Sequence, residues 1–444
     1  MLKLFVLHPN CYNQRMKNSK AVIMAGGKGT RLGDLVHEIP KPMIEINGKS
    51  LLERQIDTLK QSGIKDITIV VGYLGQVITD YFKDGKAFGV NIDYIVEDEP
   101  LGSAGSLYFL KEKMDDDFVL LFGDLIEDID FAKMMKFHKD KDALVTLFSH
   151  PNSHPFDSDL LVVENDVVKA IDSKHNIRNY FYHNLVNAGI YILSPESLEF
   201  FTTKSKKDME KDFLRNLIST NRVYSYQSSE YVKDAGTFDR LEHVSSDLKN
   251  GIVSGKNLAQ KQRAIFLDRD GTINVHRGHL SDINQFELLP DAAEAIKLIN
   301  DSGFLAIVIT NQPVISRGDL TVEGLDEIHK KMETLLGEKG AYLDAIYFCP
   351  HYPESGFPGE VKELKIDCDC RKPKIGMLLK AQYRFNIDFK ESWFVGDADL
   401  DIECGQNAGT KTVMIRGPKN KDAKPDHLAN SLYDAVKLIL DTIE

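Results

Sequence analysis

The chain has 444 residues, of which 42% are hydrophobic and 27% are charged. This length exceeds one ordinary core, and the composition is that of a globular rather than a disordered protein, so we expect two or three domains. The formal net charge of -12 argues against nucleic acid or an anionic membrane as the main partner.

Residues 1–19 are predicted to be a poorly structured N-terminal extension. The apolar run Leu2–Leu7 is followed by His8 and Pro9, with no small-residue cleavage site after it, so we do not interpret it as a signal peptide. No apolar run in the sequence approaches the length of a membrane span.

From Lys20 onward, short apolar runs alternate with helical patterns. Strands are predicted at Lys20–Ala25, Asp66–Gly72, Asn91–Val96, Phe118–Phe122 and Ala143–Phe148, with helices at Leu51–Gln61 and Phe131–His138 between them. This alternation is typical of a largely parallel sheet with helices on both faces.

The alternation lapses where the sequence becomes polar and glycine-containing. We place a linker at residues 246–262, between a first domain at 20–245 and a second at 263–444. A new series follows, with strands predicted at Ala264–Leu267, Leu305–Ile309, Asp344–Phe348, Ser392–Val395 and Lys411–Ile415, and helices at Ala292–Asp301 and Val322–Gly337. The expected fold class is α/β, with two doubly wound, Rossmann-like domains whose ligands bind beyond the carboxyl ends of the strands.

A glycine-rich turn follows the first strand. Gly26, Gly27 and Gly29 let backbone N–H groups approach phosphate oxygens, and Arg31 adds a fork of donors to the same anion. Further along, Pro40 and Pro42 restrict the backbone around Lys41, whose ammonium group could then meet a phosphate. Taken singly, the glycines are also compatible with a tight structural turn, and the lysine with a solvated surface.

Together, the segments AGGKGTRL, PKPM and NGKSLLE resemble the signature of the sugar-1-phosphate nucleotidyltransferases, over residues 20–245. The resemblance implies a nucleotidyltransferase-type domain in which Arg31 and Lys41 are catalytic and Asp124 and Asp234 bind Mg²⁺. Taken alone, Asp124 is as compatible with capping a helix as with binding Mg²⁺. Nucleotide-binding residues by the same resemblance are Gly26, Gly27, Gly29, Thr30, Pro100, Gly102 and Ser103, and sugar-phosphate contacts are Asn187, Glu210 and Lys211.

Two aspartates end the strand that opens the second domain. Asp268 and Asp270 are one residue apart, and such a pair is costly without a cation, for which Mg²⁺ is the natural choice. Asp268 could attack phosphorus while Asp270 protonates the leaving oxygen and later activates water. A lone D-x-D is weak evidence, because surface turns contain many.

Further polar clusters follow the later strands of this domain, in the order Thr310-Asn311-Gln312, Arg371-Lys372-Pro373 and Gly396-Asp397 with Asp399 and Asp401. All four clusters in this order resemble the haloacid dehalogenase superfamily over about residues 264–443. The resemblance implies that Asp268 is the nucleophile and Asp270 the acid/base. It also implies that Thr310, Asn311 and Lys372 bind phosphate and that Asp268, Asp270 and Asp397 bind Mg²⁺. Asp399 and Asp401 are either supports of the site or helix caps.

Three of the five cysteines lie close together in the sequence, beside a histidine. Cys349, His351, Cys368 and Cys370 match the softness and number of ligands of a tetrahedral zinc ion, which with four protein ligands would be structural. Reduced buried cysteines are the alternative. An odd count with this spacing does not suggest a disulfide framework, so we expect a cytoplasmic protein.

The DRDGT, TNQ, C-x-H, C-x-C and RKP motifs resemble the D-glycero-D-manno-heptose-1,7-bisphosphate phosphatase branch, with Arg317 and Arg371 as candidates for a second phosphate or as surface ion-pair partners. The fusion then implies GDP-heptose synthesis from GTP and heptose phosphates, as these small-molecule substrates suit both halves. Homo-oligomerisation is left open. The alternative is a nucleotidyltransferase for another hexose 1-phosphate, fused to a histidinol-phosphatase-like enzyme.

Overall fold

The structure is a computed structural model that describes residues 16, 19–27, 38–417 and 422–442. The chain forms two compact units. The first comprises the described residues up to Ser149, with Leu161–Ile171 and Asn187–Asn257. The second comprises His150–Leu160, Asp172–Val186 and the described residues from Leu258 onward.

The first unit is built on a mixed sheet. In chain order its strands and the short strands beside it are β1 (Lys20–Ala25), β2 (Glu45–Ile46), β3 (Lys49–Ser50), β4 (Asp66–Val71), β5 (Asn91–Val96), β6 (Phe118–Phe122), β7 (Leu125–Asp128), β8 (Val145–His150), β9 (Leu160–Glu164), β10 (Val167–Asp172), β11 (Val186–Leu193), β12 (Val223–Gln227) and β13 (Tyr231–Asp234). Within the described residues, nine of them form one sheet in the order β5-β4-β1-β6-β11-β8-β12-β10-β9.

Strand order in this sheet creates a crevice beside β1. The chain moves outward from β1 to β4 and β5, and then returns to the other side of β1 with β6, and all three pairings are parallel. In such a sheet the crevice lies between the two strands where the order reverses, here β1 and β6. The antiparallel pair β7 and β13 lies apart from the main sheet.

The helices of the first unit are α1 (Leu51–Gln61), α2 (Gly75–Phe82), α3 (Phe131–Asp140), α4 (Arg215–Ile218), α5 (Phe238–Lys249) and α6 (Ile252–Gly255). Helix α1 begins where the Ser50 hydroxyl accepts a hydrogen bond from Glu53 N at 3.1 Å, which satisfies one of the free N–H groups of the first turn. Its buried residues recur at helical spacing and include Leu52, Ile56 and Leu59, so one face packs into the core.

The second unit contains a parallel sheet of β14 (Ala264–Leu267), β15 (Leu305–Asn311), β16 (Ala345–Cys349), β17 (Trp393–Gly396), β18 (Lys411–Ile415) and β19 (His427–Ala429). Its six described strands run in the order β16-β15-β14-β17-β18-β19, all parallel to their neighbours. The reversal lies between β14 and β17. All four residues of β14 are buried, as expected for a central strand covered on both faces.

Five helices accompany this sheet in the described part of the second unit. They are α7 (Ala292–Asp301), α8 (Val322–Gly337), α9 (Gly376–Phe385), α10 (Asp399–Ala408) and α11 (Leu432–Asp441). Among the described residues, no helix combines the length and the apolar character that crossing a bilayer requires.

The predicted α/β class with two doubly wound units is confirmed. The second sheet is parallel throughout its described strands, whereas the first is mixed, because β11 and β10 pair antiparallel with their neighbours. Most predicted elements differ from the observed ones by at most two residues at an end, and Leu51–Gln61, Ala292–Asp301 and Val322–Gly337 have the same bounds. The predicted linker, residues 246–262, contains the end of α5 and all of α6, and the chain passes to the second unit after Asn257. Almost all of the predicted extension lies outside the described residues.

Two segments that precede the end of the first unit in sequence belong to the second. In one of them, His183 lies between two carboxylates of α8: its Nε2 is 2.9 Å from Asp326 Oδ1, and its Nδ1 contacts Glu333. The Tyr182 N–H donates to Thr334 Oγ1 at 3.0 Å. Burial alone would lower the pKa of His183, but Glu333 and Asp326 raise it to about 10.

This raised pKa predicts a pH-dependent contribution to stability. Since the folded-state pKa exceeds the ordinary value of 6.5, the stabilisation is full below pH 6.5 and is lost as the pH rises through about 10. We expect His183→Gln to lower the melting temperature of the second unit at pH 6.5, with the difference disappearing above pH 10. Melting curves across this range measure it. His175→Gln, an exposed histidine of the same segment, should show no such difference, and a constant offset for His183→Gln would contradict the prediction.

Candidate functional sites

Three buried carboxylates meet at the carboxyl end of the second unit's sheet. Asp268 directly follows β14, and Asp397 directly follows β17, on the two sides of the strand reversal. Asp401 is in the first turn of α10. One oxygen from each of the three lies within 4.8 Å of the others, and the residues are 8%, 7% and 1% exposed. A group of buried carboxylate oxygens is the donor set that a hard divalent cation requires.

Lys372 joins two of these carboxylates. Its ammonium group is 2.6 Å from Asp268 Oδ1 and 2.6 Å from Asp401 Oδ1, and it donates to the Ile309 carbonyl at 2.8 Å. Burial alone would lower the pKa of Lys372, but the two carboxylates raise it, so the side chain stays charged. The lysine is itself held by Asn311, whose Oδ1 accepts from Lys372 N at 3.0 Å.

Asp270 lies outside this group of three and has its own partners. Both of its oxygens accept from Arg269 Nη2, at 3.0 and 2.8 Å, and they also accept from Asn274 Nδ2 at 3.0 Å and Gln312 Nε2 at 2.7 Å. Burial would raise the pKa of Asp270, but Arg269, Asn274 and Gln312 lower it to about 2. The carboxyl group is therefore ionised at neutral pH. Its assignment as a metal ligand stays a prediction.

Arg269 is fully buried and reaches from Asp270 to α8, where its Nη1 is 3.3 Å from His329 Nε2. Burial and the neighbouring Arg269 lower the pKa of His329 to about 3, so the imidazole is neutral. An unprotonated Nε2 can accept the hydrogen bond that Arg269 donates.

Gly271 is the residue that lets Asp397 approach the D-x-D turn. Residues other than glycine rarely adopt its backbone φ of +99°, and a Cβ atom at this position would overlap the Asp397 carboxylate. The glycine of the DRDGT motif therefore permits the two strand ends to come together.

A cavity of about 220 Å³ opens onto these groups. Asp268, Asp270, Thr310, Asn311 and Lys372 line its inner part, and the lining also includes His276, His279 and Arg371. Of the two predicted second-phosphate residues, Arg371 therefore faces this cavity. Its guanidinium group stacks on Tyr352 at 4.8 Å and donates to the His351 carbonyl at 3.2 Å.

Arg317, the other predicted residue, is outside the cavity lining. It stacks on Phe357 at 4.1 Å, pairs with Asp319 at 3.0 Å, and has its Nη1 3.3 Å from His279 Nε2. Burial and the charge of Arg317 lower the pKa of His279. Arg317 thus touches the cavity through a histidine that lines it.

The predicted metal-binding thiols converge. Cys349, Cys368 and Cys370 have Sγ atoms 3.2–3.5 Å apart, and His351 Nδ1 is 3.6 Å from Cys349 Sγ and 3.3 Å from Cys370 Sγ. These cysteines are free thiols rather than disulfides. Four soft or borderline ligand atoms around one point form a site that could hold a metal ion.

In the first unit, a cavity of about 790 Å³ lies beside the crevice between β1 and β6. Lys41 lies in a short turn, Lys41–Met43, that follows Pro40. Its ammonium group is 2.6 Å from Asp124 Oδ2, and Asp124 follows β6 in the turn to β7. Asp124 therefore lies between two strands and does not cap a helix.

Strand pairing brings the second predicted aspartate to the same cavity. Asp234 ends β13 and pairs in register with Leu125 of β7, and Ala235 N donates to the Asp124 carbonyl at 2.9 Å. The Asp234 side chain accepts from Gly236 N at 3.0 Å and contacts Arg240. Both aspartates line the cavity, as a shared divalent cation would require.

Most of the predicted nucleotide-binding residues line this cavity, namely Gly26, Gly27, Pro100, Gly102 and Ser103. Gly26 lies against Glu97, and a Cβ atom at this position would require the Glu97 carboxylate to move. The predictions for Gly29, Thr30 and Arg31 fall outside the described residues.

The predicted sugar-phosphate residues Asn187, Glu210 and Lys211 lie near one another in the fold but are not among the residues that line this cavity, and their role stays a prediction. Asn187 Nδ2 donates to Glu210 Oε1 at 2.8 Å and to the Tyr191 hydroxyl at 2.7 Å. Glu210 and the exposed Lys211 lie in the short π-helix Met209–Leu214, where both N–H groups donate to Oδ1 of the capping residue Asp208.

Several supporting residues escaped the sequence analysis. Asp401, for which the sequence allows a supporting role or a helix cap, makes both kinds of contact, since Oδ2 accepts from Ala398 N at 3.1 Å while Oδ1 accepts from Lys372 Nζ. Neither the Arg269–His329 contact nor the capping of the π-helix Met209–Leu214 by Asp208 has a sequence signal beyond ordinary polar spacing. Residues that position a site residue through tertiary contacts cannot be recognised from their residue type alone.

The two units define a class of protein: a bifunctional α/β enzyme with a cavity in each unit. Residues 20–251 match the nucleotidyl transferase family model, and residues 369–435 match the HAD-hydrolase-like model. Since the first match spans more than half of the chain, the chain belongs to the nucleotidyl transferase family, with a HAD-hydrolase-like enzyme as its second unit.

Individual proteins resemble each half. D-glycero-beta-D-manno-heptose-1,7-bisphosphate 7-phosphatase of Yersinia pestis is 39% identical over 187 residues, which are 41% of this chain and 97% of that protein. The Escherichia coli K12 protein of the same name is 38% identical over 188 residues, 41% of this chain and 96% of that protein. The crystal structure of HddC from Yersinia pseudotuberculosis aligns with 52% of this chain and 99% of its own, at 25% identity and a TM-score of 0.46.

Proposed function

We propose that this chain performs two steps of GDP-heptose synthesis. Its second unit removes the 7-phosphate of D-glycero-D-manno-heptose 1,7-bisphosphate, and its first unit transfers GMP from GTP to the resulting heptose 1-phosphate, releasing pyrophosphate. The observation that carries the proposal is the 39% identity over nearly all of a heptose bisphosphate phosphatase, in a chain whose other unit is a nucleotidyltransferase. Heptose 1-phosphate, the product of the phosphatase reaction, is a substrate of the nucleotidyltransferase reaction.

In the phosphatase reaction, an Asp268 oxygen attacks phosphorus and the bond between phosphorus and the C7 oxygen breaks. Asp270 donates a proton to the leaving alkoxide. Asp270 takes up this proton from solvent as the negatively charged phosphate arrives beside it, since a nearby negative charge raises the pKa of a carboxyl group. It then takes a proton from the water that attacks the aspartyl phosphate, and inorganic phosphate leaves. Lys372 and Thr310 bind the phosphoryl oxygens.

Magnesium suits both sites. In the second unit the carboxylates of Asp268 and Asp397 would hold it, and in the first unit those of Asp124 and Asp234. In each case Mg²⁺ supplies positive charge to phosphate oxygens. Lys41 holds the reacting anions together at the carboxyl end of β6, and Arg31 and the glycine amides are assigned to the departing pyrophosphate by resemblance. Positioning and charge are sufficient for this reaction, without a covalent intermediate.

The proposal is tested by incubating the chain with heptose 1,7-bisphosphate, Mg²⁺ and one of GTP, ATP, UTP or dTTP. We expect phosphate release in every mixture and a sugar nucleotide, GDP-heptose, only with GTP, as identified by mass spectrometry. Histidinol phosphate serves as the comparison substrate, since the relatives favour the heptose branch over the histidinol-phosphatase alternative. Faster release from histidinol phosphate, or a sugar nucleotide with another base, would contradict the proposal.

Arg371 is proposed to bind the 1-phosphate that remains on the substrate. It lines the cavity that Asp268 opens onto, and a guanidinium group matches the geometry of a phosphate. We expect Arg371→Ala to raise KM for heptose 1,7-bisphosphate about tenfold or more, but to leave KM for heptose 7-phosphate nearly unchanged. Lys374→Ala, which alters an exposed lysine paired with Asp367, is the control. Equal losses with both substrates would exclude this role.

The thiol and imidazole group is proposed to hold structural zinc, because four protein ligands leave no open position. Chains purified without chelator should contain about one zinc ion each, and Cys368→Ser should lower both the zinc content and the melting temperature of the second unit. Elemental analysis and calorimetry measure the two effects. Cys404→Ser changes a buried thiol outside the group and should retain the metal; zinc retained in full by Cys368→Ser would contradict the assignment.

A further inference from the structure

A glutamine lies in the apolar face of α1. Gln55 is fully buried, among Leu52, Ile56 and Leu59 of the same helix face. Its Nε2 donates to the Phe122 carbonyl at 2.8 Å and to the Leu125 carbonyl at 3.2 Å. A buried amide group is costly unless it is hydrogen-bonded. Here the amide nitrogen has two backbone acceptors, whereas the buried Oε1 has no hydrogen-bond partner among the described residues.

These two carbonyls flank Gly123 and Asp124, the turn between β6 and β7. Other backbone contacts hold the turn from two further directions: Gly123 N donates to the Met24 carbonyl at 2.9 Å, and the Asp124 carbonyl accepts from Ala235 N at 2.9 Å. Gln55 therefore binds the backbone on either side of Asp124, while the Asp124 side chain is directed to Lys41 at 2.6 Å.

The amide orientation is fixed by its surroundings. An amide oxygen in place of Nε2 would face two carbonyl oxygens, so only the observed orientation gives hydrogen bonds. Glu127 Oε2 is 3.4 Å from the same nitrogen. Burial raises the pKa of Glu127 well above its usual range, which disfavours the charged form of this neighbour, and its contact with the amide is longer than the two contacts with the turn.

We propose that Gln55 is a positioning residue for nucleotidyl transfer: by binding the carbonyls of Phe122 and Leu125, it fixes the turn that presents Asp124 to the metal ion. This inference rests on the proposed role of Asp124 in the first unit. Groups that orient a metal ligand typically change metal affinity or activity by about 10–100-fold when they are removed.

The test removes the amide and keeps its size. Gln55→Met has a similar length and no donor. Thr58→Val is the matched control, because Thr58 lies on the same helix face and its hydroxyl reaches the Glu127 carbonyl at 3.4 Å, beyond the turn. Direct metal binding is measured with Mn²⁺ alone, by electron paramagnetic resonance, in chains that also carry Asp397→Asn to remove the second unit's site. Nucleotidyl transfer and phosphate release are measured in chains without that change.

We expect Gln55→Met to weaken Mn²⁺ binding and nucleotidyl transfer by about tenfold or more, with Thr58→Val within about twofold of the parent. Phosphate release should be unchanged in both, which shows that the second unit is folded, and an unchanged melting transition of the first unit shows the same for the unit that carries Gln55. Normal Mn²⁺ binding by Gln55→Met, or an equal loss in Thr58→Val, would overturn the inference. If Gln55→Met is insoluble, Gln55→Glu takes its place, and an unaltered Mn²⁺ affinity of Gln55→Glu would also overturn the inference. Asp124→Asn separates the two levels: full transfer by that variant would contradict the role of Asp124 itself.

Discussion

Replacing Asp268 by asparagine is expected to lower phosphate release by about four orders of magnitude or more and to leave nucleotidyl transfer to heptose 1-phosphate unchanged. The reason is that an amide oxygen is a far weaker nucleophile than the carboxylate that Lys372 holds at 2.6 Å. Release of phosphate from heptose 1,7-bisphosphate, followed in a coupled assay, measures the first effect, and GDP-heptose formed from supplied heptose 1-phosphate measures the second.

The control for this substitution is Asp301→Asn, which alters an exposed aspartate at the end of α7 and should behave as the unaltered chain. Undiminished phosphate release by Asp268→Asn would rule out the nucleophile assignment. A folded variant that lost both reactions would show instead that the two sites are not independent.

Lys41→Ala is expected to reduce nucleotidyl transfer by about 10²–10³-fold with phosphate release intact. Its ammonium group lies beside Asp124 in the first unit's cavity, with only 12% of the side chain exposed, so solvent cannot replace the lost charge. Steady-state rates of pyrophosphate release with saturating GTP measure the effect.

Two companions make the Lys41 result specific. Lys86→Ala removes a largely exposed lysine of the same unit, paired with Asp84 at 2.8 Å, and should leave transfer unchanged. Lys41→Arg keeps the charge but changes its shape, and we expect only partial activity because a planar fork does not replace a compact ammonium group. Transfer at the normal rate by Lys41→Ala would remove this lysine from the mechanism.

The sequence predicted most elements and pointed to candidate site residues, because both follow from local patterns. Asp268 and Asp397 each come directly after a short apolar run, and parallel strands bring such ends to one edge. The same reasoning placed Asp124 after β6. Once the strands are recognised, the chemistry at their ends needs only the residue type.

What could not be predicted depends on contacts between distant parts of the chain. Gln55 lies in a helical pattern where a polar residue is normally exposed, and only the position of the turn after β6 explains its burial. The sequence distinguishes the proposed roles of Asp270 and Asp401 but does not indicate which cation lies beside each carboxyl group. Arg269 is in contact with one and Lys372 with the other, and those contacts give the two carboxyl groups different environments.

The division of the chain into units has a consequence for its synthesis on the ribosome. Residues 150–160 and 172–186 emerge early, yet they belong to the second unit, and the partners of His183 on α8 are translated much later. Until the ribosome has passed Gly337, these two segments lack their partner helix α8 and therefore stay solvated and accessible to proteases or chaperones. A nascent chain released before that point would contain the residues of the nucleotide site. It would lack the part of the second unit against which residues 150–160 and 172–186 pack.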